Sequence, residues 1–342
     1  MSGKVTMKDV ARRLNVSVSS VSVALNRKPG VTGALRDEVL RTCHQLGYNT
    51  RRIVTKSQRG GNVGFIMSKN MPLKSEVYFT QMLMGAETFA EERQFHLLMN
   101  TVSVGNDDPF QLPRCFSKQI KGLLIAGYFP AKYVEFLQGQ GVPMVLLEYD
   151  IPSMPLNAVM CDNYYGAFSA VRHLIDRGHR SIALISGMKD RISEFLRVQG
   201  FVSAMREAQL PIESELTVED LKSPEIGAGY KATLGILRRH PPRLDAFFCI
   251  TDNYATGCMR AIQESGLKVP DNISVIGFDD MEWVSHLTPP LTSLHVPREV
   301  IGEAGMMRLI ELVEAGVEQE PPMPMRVVLP VRLIERGSVA SR

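Results

Sequence analysis

Three stretches with apolar residues at helical spacing occupy the first 47 residues of the chain. Each follows a residue that can cap a helix: Thr6, with Asp9 three positions later, Ser17 and Thr32. The apolar positions are Val10, Ala11 and Leu14, then Val18, Val21, Ala24 and Leu25, then Leu35, Val39, Cys43 and Leu46. The pattern predicts three short helices that bury one face each.

The first two helices are separated by a very short connection. Asn15 is a residue type that adopts the left-handed conformation a tight reversal needs, and Val16 packs before Ser17 starts the next helix. Two short helices across such a turn, followed by a third that ends at Gly47, predict a helix-turn-helix unit. Residues 18–26 would then be the helix that lies in the major groove of DNA.

From residue 63 onward the pattern changes to short apolar runs that alternate with longer amphipathic helices. The runs are residues 63–67, 96–100, 122–127, 143–148, 181–187, 245–250 and 273–280, and the clearest helices are 77–93, 163–177, 191–208, 253–266 and 297–315. This alternation predicts doubly wound α/β sheets with buried parallel strands. About 280 residues of it exceed one core, so we expect two lobes.

The charge is distributed unevenly between these two parts. Residues 1–59 carry twelve Lys and Arg against three acids, whereas the rest carries 27 basic and 33 acidic residues. A basic head on an acidic body favours a polyanion-binding module joined to a second function, although a solvated basic face would give the same excess.

Several function classes have weak or no support in the sequence. The five cysteines are scattered and odd in number, which argues against disulfides and a zinc site, and no long apolar run or signal segment appears, so we expect a cytoplasmic protein without a membrane partner. "GAGYKA" at 227–232 fits a dinucleotide-loop pattern but follows no strand. Asp252, Asp279 and Asp280 could form a magnesium or acid–base cluster, but no nucleophile accompanies them. We expect no enzyme, catalytic residue, metal or cofactor.

The opening segment "TMKDVARRLNVSVSSVSVALN" closely resembles the T-x-x-D-V-A-x-x-A-G-V-S-x-x-T-V-S-R-V-L-N signature of the lactose/galactose-repressor (LacI/GalR) family of bacterial transcription regulators. The resemblance implies base contacts from Val18, Ser19 and Val23. It implies phosphate contacts or helix caps for Thr6, Ser17, Ser22, Asn26 and Thr32, and the nearby basic residues Arg27, Lys28, Arg36, Arg51 and Arg52 would add phosphate contacts. The family usually has Arg in place of Val23, so operator preference should differ.

The linker departs from the family pattern. In the family this stretch forms a hinge helix on DNA, and a leucine wedges into the minor groove. Here Thr50 replaces the usual proline, Val54 the usual alanine and Ser57 the usual leucine. A serine cannot unstack a base step as leucine does. The segment therefore has two equally supported interpretations, a plain linker and a hinge helix that forms on DNA.

The body also resembles the same family in the segments "CDNYYGAFSAVRHLIDRGHRSIALISG" and "ITDNYATGCMRAIQESGLKVPDNISVIGFDD". The family's core has two lobes and is similar to a periplasmic binding protein. We therefore predict a small all-α helix-turn-helix head at 1–50, a hinge at 51–62, and an effector-binding and dimerisation domain at 63–342. Its first lobe would be 63–160 with 292–322, and its second 161–291 with 323–340.

Ligands of such sheets bind at the carboxyl ends of strands, between the lobes. By resemblance, Arg197 and Asp252 would grip a polyol, with Glu148 and Asp279 as further polar candidates and Tyr78 or Phe79 as a ring platform. Each has a structural alternative: the aspartates could cap helices, Arg197 could brace the lobes, and the aromatic residues could be core.

The resulting hypothesis is a DNA-binding transcriptional regulator, more specifically a repressor. It would act as a homodimer on a two-fold operator, under control of a small molecule, a sugar or sugar derivative. The alternative is a sugar-sensing solute-binding module whose basic head mediates protein contacts and does not bind DNA.

Overall fold

A computed structural model describes residues 5–25, 30–46, 48, 60–68, 75–103, 120–189, 191–239, 244–315 and 322–342. The chain divides into two compact units, Met1–Gly61 with Arg93–Phe95 and Asn62–Glu92 with His96–Arg342. We refer to residues 1–61 as the head and to the second unit as the body. Within the described residues, no helix is long and apolar enough to cross a membrane.

The head contains the three helices that the sequence predicts, α1 (Met7–Leu14), α2 (Val18–Leu25) and α3 (Gly33–Leu46). Asn15 ends α1 in the left-handed conformation, with φ 52°. Ser17 Oγ accepts a hydrogen bond from the Ser20 amide at 2.9 Å, and Thr32 Oγ1 accepts one from the Leu35 amide at 3.3 Å. These caps satisfy amides that have no partner inside the helix, so short polar side chains set where α2 and α3 begin.

A compact apolar core holds the three helices together. It contains Val10, Ala11, Val21, Ala24, Leu25, Val39 and Cys43, each at most 4% exposed. Every helix therefore turns its apolar stripe inward and leaves its polar side chains at the surface.

The body contains twelve strands and seven α-helices among the described residues. In chain order these are β1 (Gly61–Ser68), α4 (Ser75–Glu92), β2 (Phe95–Val102), β3 (Ile120–Ala126), α5 (Ala131–Gln138), β4 (Met144–Leu147), β5 (Asn157–Cys161), α6 (Asn163–Asp176), β6 (Ile182–Ile185), α7 (Ile192–Glu207), β7 (Thr217–Val218), α8 (Ile226–Leu237), β8 (Ala246–Cys249), α9 (Asp252–Glu264), β9 (Ser274–Ile276), β10 (Ser293–His295), α10 (Arg298–Ala315), β11 (Arg326–Leu329) and β12 (Arg332–Ile334).

The first lobe is built on a six-stranded sheet in the order β11-β5-β4-β3-β1-β2. Strands β3, β4 and β5 pair in parallel, and β1 pairs in parallel with β3. Helix α10 packs on β3, β4 and β5 and along α4. The predicted runs 63–67, 96–100, 122–127 and 143–148 all lie in this sheet, whose central strands are buried on both faces, as continuous apolar runs indicate.

The second lobe is built on a four-stranded parallel sheet in the order β7-β6-β8-β9. Its helices are α6 to α9, of which α6 packs against α7 and α8 against α9. The fold class expected from the sequence is confirmed: a small helical head and an α/β body with parallel sheets.

The chain segments that form each lobe differ from the expected ones at the C-terminal end. Strand β11 pairs in parallel with β5, with Arg326 opposite Ala158, so residues 326–329 belong to the first sheet and not to the second lobe. Strand β10 pairs with β12, and the bridges Ile276–Thr292 and Asp279–His295 attach that segment to the end of β9. Residues 292–295 therefore lie beside the second lobe. The physical reason is long-range pairing, which local pattern does not encode.

Three connections cross between the lobes. They run from β5 to α6 through Asp162, from β10 to α10 through Val296 and Pro297, and from β11 to β12 through Pro330 and Val331. Residues on these connections join the two lobes along the chain.

Candidate DNA-binding surface and ligand cavity

Helix α2 presents its N-terminal turn at the surface of the head. Val18 is 40% exposed and Ser19 is exposed, whereas Val21, Ala24 and Leu25 are buried in the core. Val23 is half-buried. The hydroxyls of Ser19 and Ser20 lie 2.7 and 2.8 Å from Ser17 Oγ. This turn therefore offers one methyl-bearing and several hydroxyl side chains, without a long cationic side chain of its own.

Polar groups flank this turn. Thr6 at the start of α1 donates to Asp9 Oδ2 from its amide at 2.9 Å and from its hydroxyl at 2.6 Å, and the side-chain hydrogen bond lowers the pKa of Asp9. Thr6, Ser17 and Thr32 are exposed, and Ser22 and Arg36 are half-buried. The other candidates for DNA contact and the hinge lie outside the described residues: Asn26, Arg27, Lys28, Thr50, Arg51, Arg52, Val54 and Ser57.

A cavity of about 130 Å³ lies between the two lobes of the body. The first lobe contributes Tyr78 and Phe79 from α4 and the residues that follow β3 and β4, namely Gly127, Tyr128, Glu148 and Tyr149. The second lobe contributes the start of α7 and residues after β8 and β9. The lining thus comes from the carboxyl ends of parallel strands, the place where open α/β sheets bind ligands.

Arg197 on α7 lines the cavity and makes three hydrogen bonds through its side chain. It is 5% exposed and donates to Asn163 Oδ1 at 2.8 Å, to the Ile250 carbonyl at 2.6 Å and to Asp279 Oδ1 at 3.0 Å. Its guanidinium carbon lies 3.7 Å from the centre of the Phe278 ring. A buried charge needs such partners to offset the loss of hydration, so this arrangement fixes the guanidinium in one position.

Asp252, expected to grip a ligand together with Arg197, does not line the cavity. It is fully buried, and its carboxylate accepts hydrogen bonds from the Met281 amide at 2.8 Å and the Ser293 hydroxyl at 2.6 Å. Burial raises the pKa of the Asp252 carboxyl. The cap of α9 is the preceding residue, Thr251, whose Oγ1 accepts from the Tyr254 amide at 3.3 Å.

Asp252 lies outside the cavity lining because of the direction in which its side chain extends. Asp252 is the first residue of α9, and its carboxylate reaches under the loop that follows β9, where a Cβ on Gly277 would lie only 2.3 Å from Asp252 Oδ1. Asp279, at the tip of that loop, is the carboxylate that pairs with Arg197 and lines the cavity.

Glu148 lines the cavity from the first lobe. Its φ of 55° is in the left-handed region, and its carboxylate accepts from the Cys161 amide at 2.5 Å and from the Tyr78 hydroxyl at 2.9 Å. Burial raises the pKa of the Glu148 carboxyl above its ordinary 4.5. Phe79 is 4% exposed and meets the Tyr78 ring edge to face, so these two residues combine a core contact with a place in the cavity lining.

Four lining residues that the sequence analysis did not single out carry buried polar atoms without a hydrogen-bond partner among the described residues. The atoms are the donors Arg191 Nε and Trp283 Nε1 and the acceptors Glu194 Oε2 and Asn253 Oδ1. Arg191 and Glu194 lie 3.3 Å apart, and burial raises the pKa of Glu194. Leaving such atoms unpaired costs about 1–3 kcal/mol each. All four lie in the helical segments that follow strands of the second lobe, or directly before one, and that placement was the signal in the sequence.

The enzyme interpretations find no support in the geometry of the described residues. No group of three or more His, Cys, Asp or Glu residues there could hold a metal ion. The "GAGYKA" segment lies inside α8 and not in a loop between a strand and a helix. Asp280 is paired with Arg336 at 2.7 Å and with His295 at 3.0 Å, and so is occupied by structural contacts.

Comparison with known proteins agrees with this architecture. The model for bacterial regulatory proteins of the lacI family matches residues 6–51, and a periplasmic binding protein-like domain matches residues 171–339. The HTH-type transcriptional repressor PurR of Escherichia coli O139:H28 is 30% identical over 341 residues, which cover 98% of this chain and 97% of that protein.

Solved structures extend the similarity to the whole chain. The transcriptional regulator CelR in complex with cellobiose aligns with a TM-score of 0.71 and 26% identity, over 98% of this chain and 99% of that one. The lac repressor dimer bound to operator and the anti-inducer ONPF shares the fold, with a TM-score of 0.68 and 24% identity over 99% and 100% of the two chains. The chain therefore belongs to the lacI family of bacterial regulatory proteins, as a DNA-binding transcriptional repressor with an effector-binding domain.

Proposed function

We propose that this repressor takes a sugar or sugar derivative as its effector in the cavity between the lobes. The observation that carries the proposal is the set of unpartnered polar atoms in the lining, two donors and two acceptors, opposite aromatic side chains of the first lobe. Hydroxyl groups both donate and accept, and the C–H face of a sugar ring packs on aromatic rings. The related regulator CelR was solved with cellobiose, a disaccharide.

On the DNA side, we propose that α2 reads base edges, through Val18 and Ser19 in its first turn and through Val23 in the turn that follows. Val18 and Val23 offer methyl groups suited to thymine, and Ser19 offers a hydroxyl that hydrogen-bonds either kind of base edge. Because this helix has no guanidinium for guanine, we assign much of the affinity to phosphate contacts from the head, which makes binding strongly salt-dependent. Two heads of a homodimer would read a two-fold symmetric site.

The test is an electrophoretic mobility assay with the full chain and the DNA upstream of its own gene. We expect a shift that weakens steeply as salt is raised, and that changes when one member of a panel of sugars, including cellobiose, is added. Linkage requires that the sugar and the DNA alter each other's affinity by the same factor. A ligand that saturates the cavity and leaves DNA affinity unchanged would refute effector control. Absence of any salt-sensitive shift would favour a head that contacts proteins.

A further inference from the structure

Arg298 stands at the point where the chain crosses from β10 into α10, and it is only 6% exposed. On one side it contacts the first lobe, where its Nε donates to Gln81 Oε1 of α4. Its guanidinium also lies over the Tyr78 ring, 5.4 Å from the ring centre. These contacts tie the start of α10 to α4, the helix that contributes Tyr78 and Phe79 to the cavity lining.

On its other side Arg298 contacts the second lobe. Its Nη1 donates to the carbonyl of Asp279, and its Nη2 donates to the carbonyl of Asp280 at 3.2 Å. Both aspartates have φ in the left-handed region, 114° and 51°, a backbone conformation that costs free energy and persists where neighbouring groups hold it. The two-pronged guanidinium is suited to such a role because its donors have fixed spacing.

The contacts of Arg298 reach the charged groups of the cavity. The Asp279 side chain pairs with Arg197, and the Tyr78 hydroxyl donates to Glu148. Arg197 in turn bonds Asn163, which follows the first crossover between the lobes. One connected set of hydrogen bonds and ring contacts thus joins both lobes at the cavity, through Tyr78, Glu148, Cys161, Asn163, Arg197, Asp279 and Arg298.

We propose that Arg298 is an inter-lobe latch: a positioning residue that holds the Asp279–Asp280 turn of the second lobe against α4 of the first. A ligand that moves the Asp279 carboxylate must then shift the carbonyls that Arg298 binds, and with them the contacts to Gln81 and Tyr78. A bound molecule shifts the lobes only by its difference in affinity for the two arrangements. The step from lobe position to DNA affinity rests on the proposed function, whereas the latch itself does not.

The chain offers a matched control in Arg308. It lies on the same helix and is 8% exposed, but its partners, Asn157 Oδ1 at 2.8 Å, Glu311 at 3.1 Å and the Met323 carbonyl at 2.7 Å, all belong to the first lobe. Replacing either arginine removes buried hydrogen bonds and lowers thermal stability. Only the loss of Arg298 should loosen the turn of the second lobe.

The experiment is hydrogen exchange by mass spectrometry on the full chain as wild type, Arg298→Met, Arg298→Lys and Arg308→Met. The amides of residues 277–281 are protected by bonds such as that from the Asp279 amide to the Leu294 carbonyl at 2.9 Å. Because hydrogen bonds from a charged donor contribute about 1.5–3 kcal/mol, exchange of these amides should rise about tenfold or more in Arg298→Met. The first turns of α4 should respond with them. Arg298→Lys should recover part of the protection, and Arg308→Met should leave both segments unchanged.

Equal exchange at 277–281 in Arg298→Met and Arg308→Met would overturn the latch, because Arg298 would then act only as a packing group. Should Arg298→Met fail to fold, Gln81→Leu cuts the first-lobe end of the latch instead. Raised exchange at 277–281 in that variant supports the latch, and wild-type exchange contradicts it. The wild-type mobility assay judges the proposed function separately: absence of DNA binding there would leave the exchange result, and hence the latch, standing.

Discussion

The buried pair of Arg197 and Asp279 gives the sharpest quantitative prediction. Replacing Arg197 by Met keeps most of the side-chain volume but leaves the Asp279 carboxylate buried with one donor fewer. The Asn163 and Ile250 oxygens each lose the hydrogen bond from Arg197 as well. Breaking a buried ion pair by removing one partner costs about 3–5 kcal/mol. We therefore expect Arg197→Met to lower the free energy of unfolding of the body by that amount.

A double-mutant cycle separates the interaction free energy of Arg197 and Asp279 from the contributions of their other contacts. In Arg197→Met with Asp279→Asn, no charge is left unpaired, so the combined loss should be smaller than the sum of the two single losses by about 0.5–3 kcal/mol. The assay is urea unfolding followed by the fluorescence of Trp283, the single tryptophan of the chain, which lines the same cavity.

A set of ion pairs at the surface supplies the control. Arg172 contacts Asp176 at 3.2 Å and Glu207 at 3.4 Å, with its side chain 33% exposed. Surface pairs contribute about 0–1 kcal/mol because water and salt screen them, so Arg172→Met should cost no more than that. The reasoning is refuted if Arg197→Met costs no more than Arg172→Met, or if the two cavity substitutions are simply additive.

Two further predictions concern the head and the pH dependence of the body. Val23→Arg should shift operator preference toward sites with guanine facing α2, by about 1–3 kcal/mol, measured by selection from a randomised duplex pool; an unchanged consensus would contradict the assignment of Val23 to base contact. Burial raises the folded-state pKa of Glu148 above 4.5, so its ionisation opposes folding. The stability this group contributes is present below pH 4.5 and lost as pH rises through the raised pKa. As the pH rises from 4.5 through the raised pKa, the melting temperature of wild type should therefore fall relative to that of Glu148→Gln. Parallel curves of melting temperature against pH for the two proteins would contradict this expectation.

The sequence by itself determined the elements that depend on neighbours along the chain. The caps at Ser17 and Thr32 and the left-handed Asn15 act over three or four residues, so composition and spacing were sufficient to place α1 to α3. Buried parallel strands appear as apolar runs for a similar reason, because both faces of the strand are covered.

Only the tertiary structure decided which groups share the cavity. Asp252 and Asp279 each follow a strand and look equivalent in the sequence, yet one supports a loop from below and the other pairs with Arg197. The place of β11 beside β5, and of Arg298 between the lobes, likewise depends on partners more than a hundred residues away. Local pattern specifies which way a chain bends and which face it buries, but the direction of a side chain into a shared site depends on the packing of distant elements.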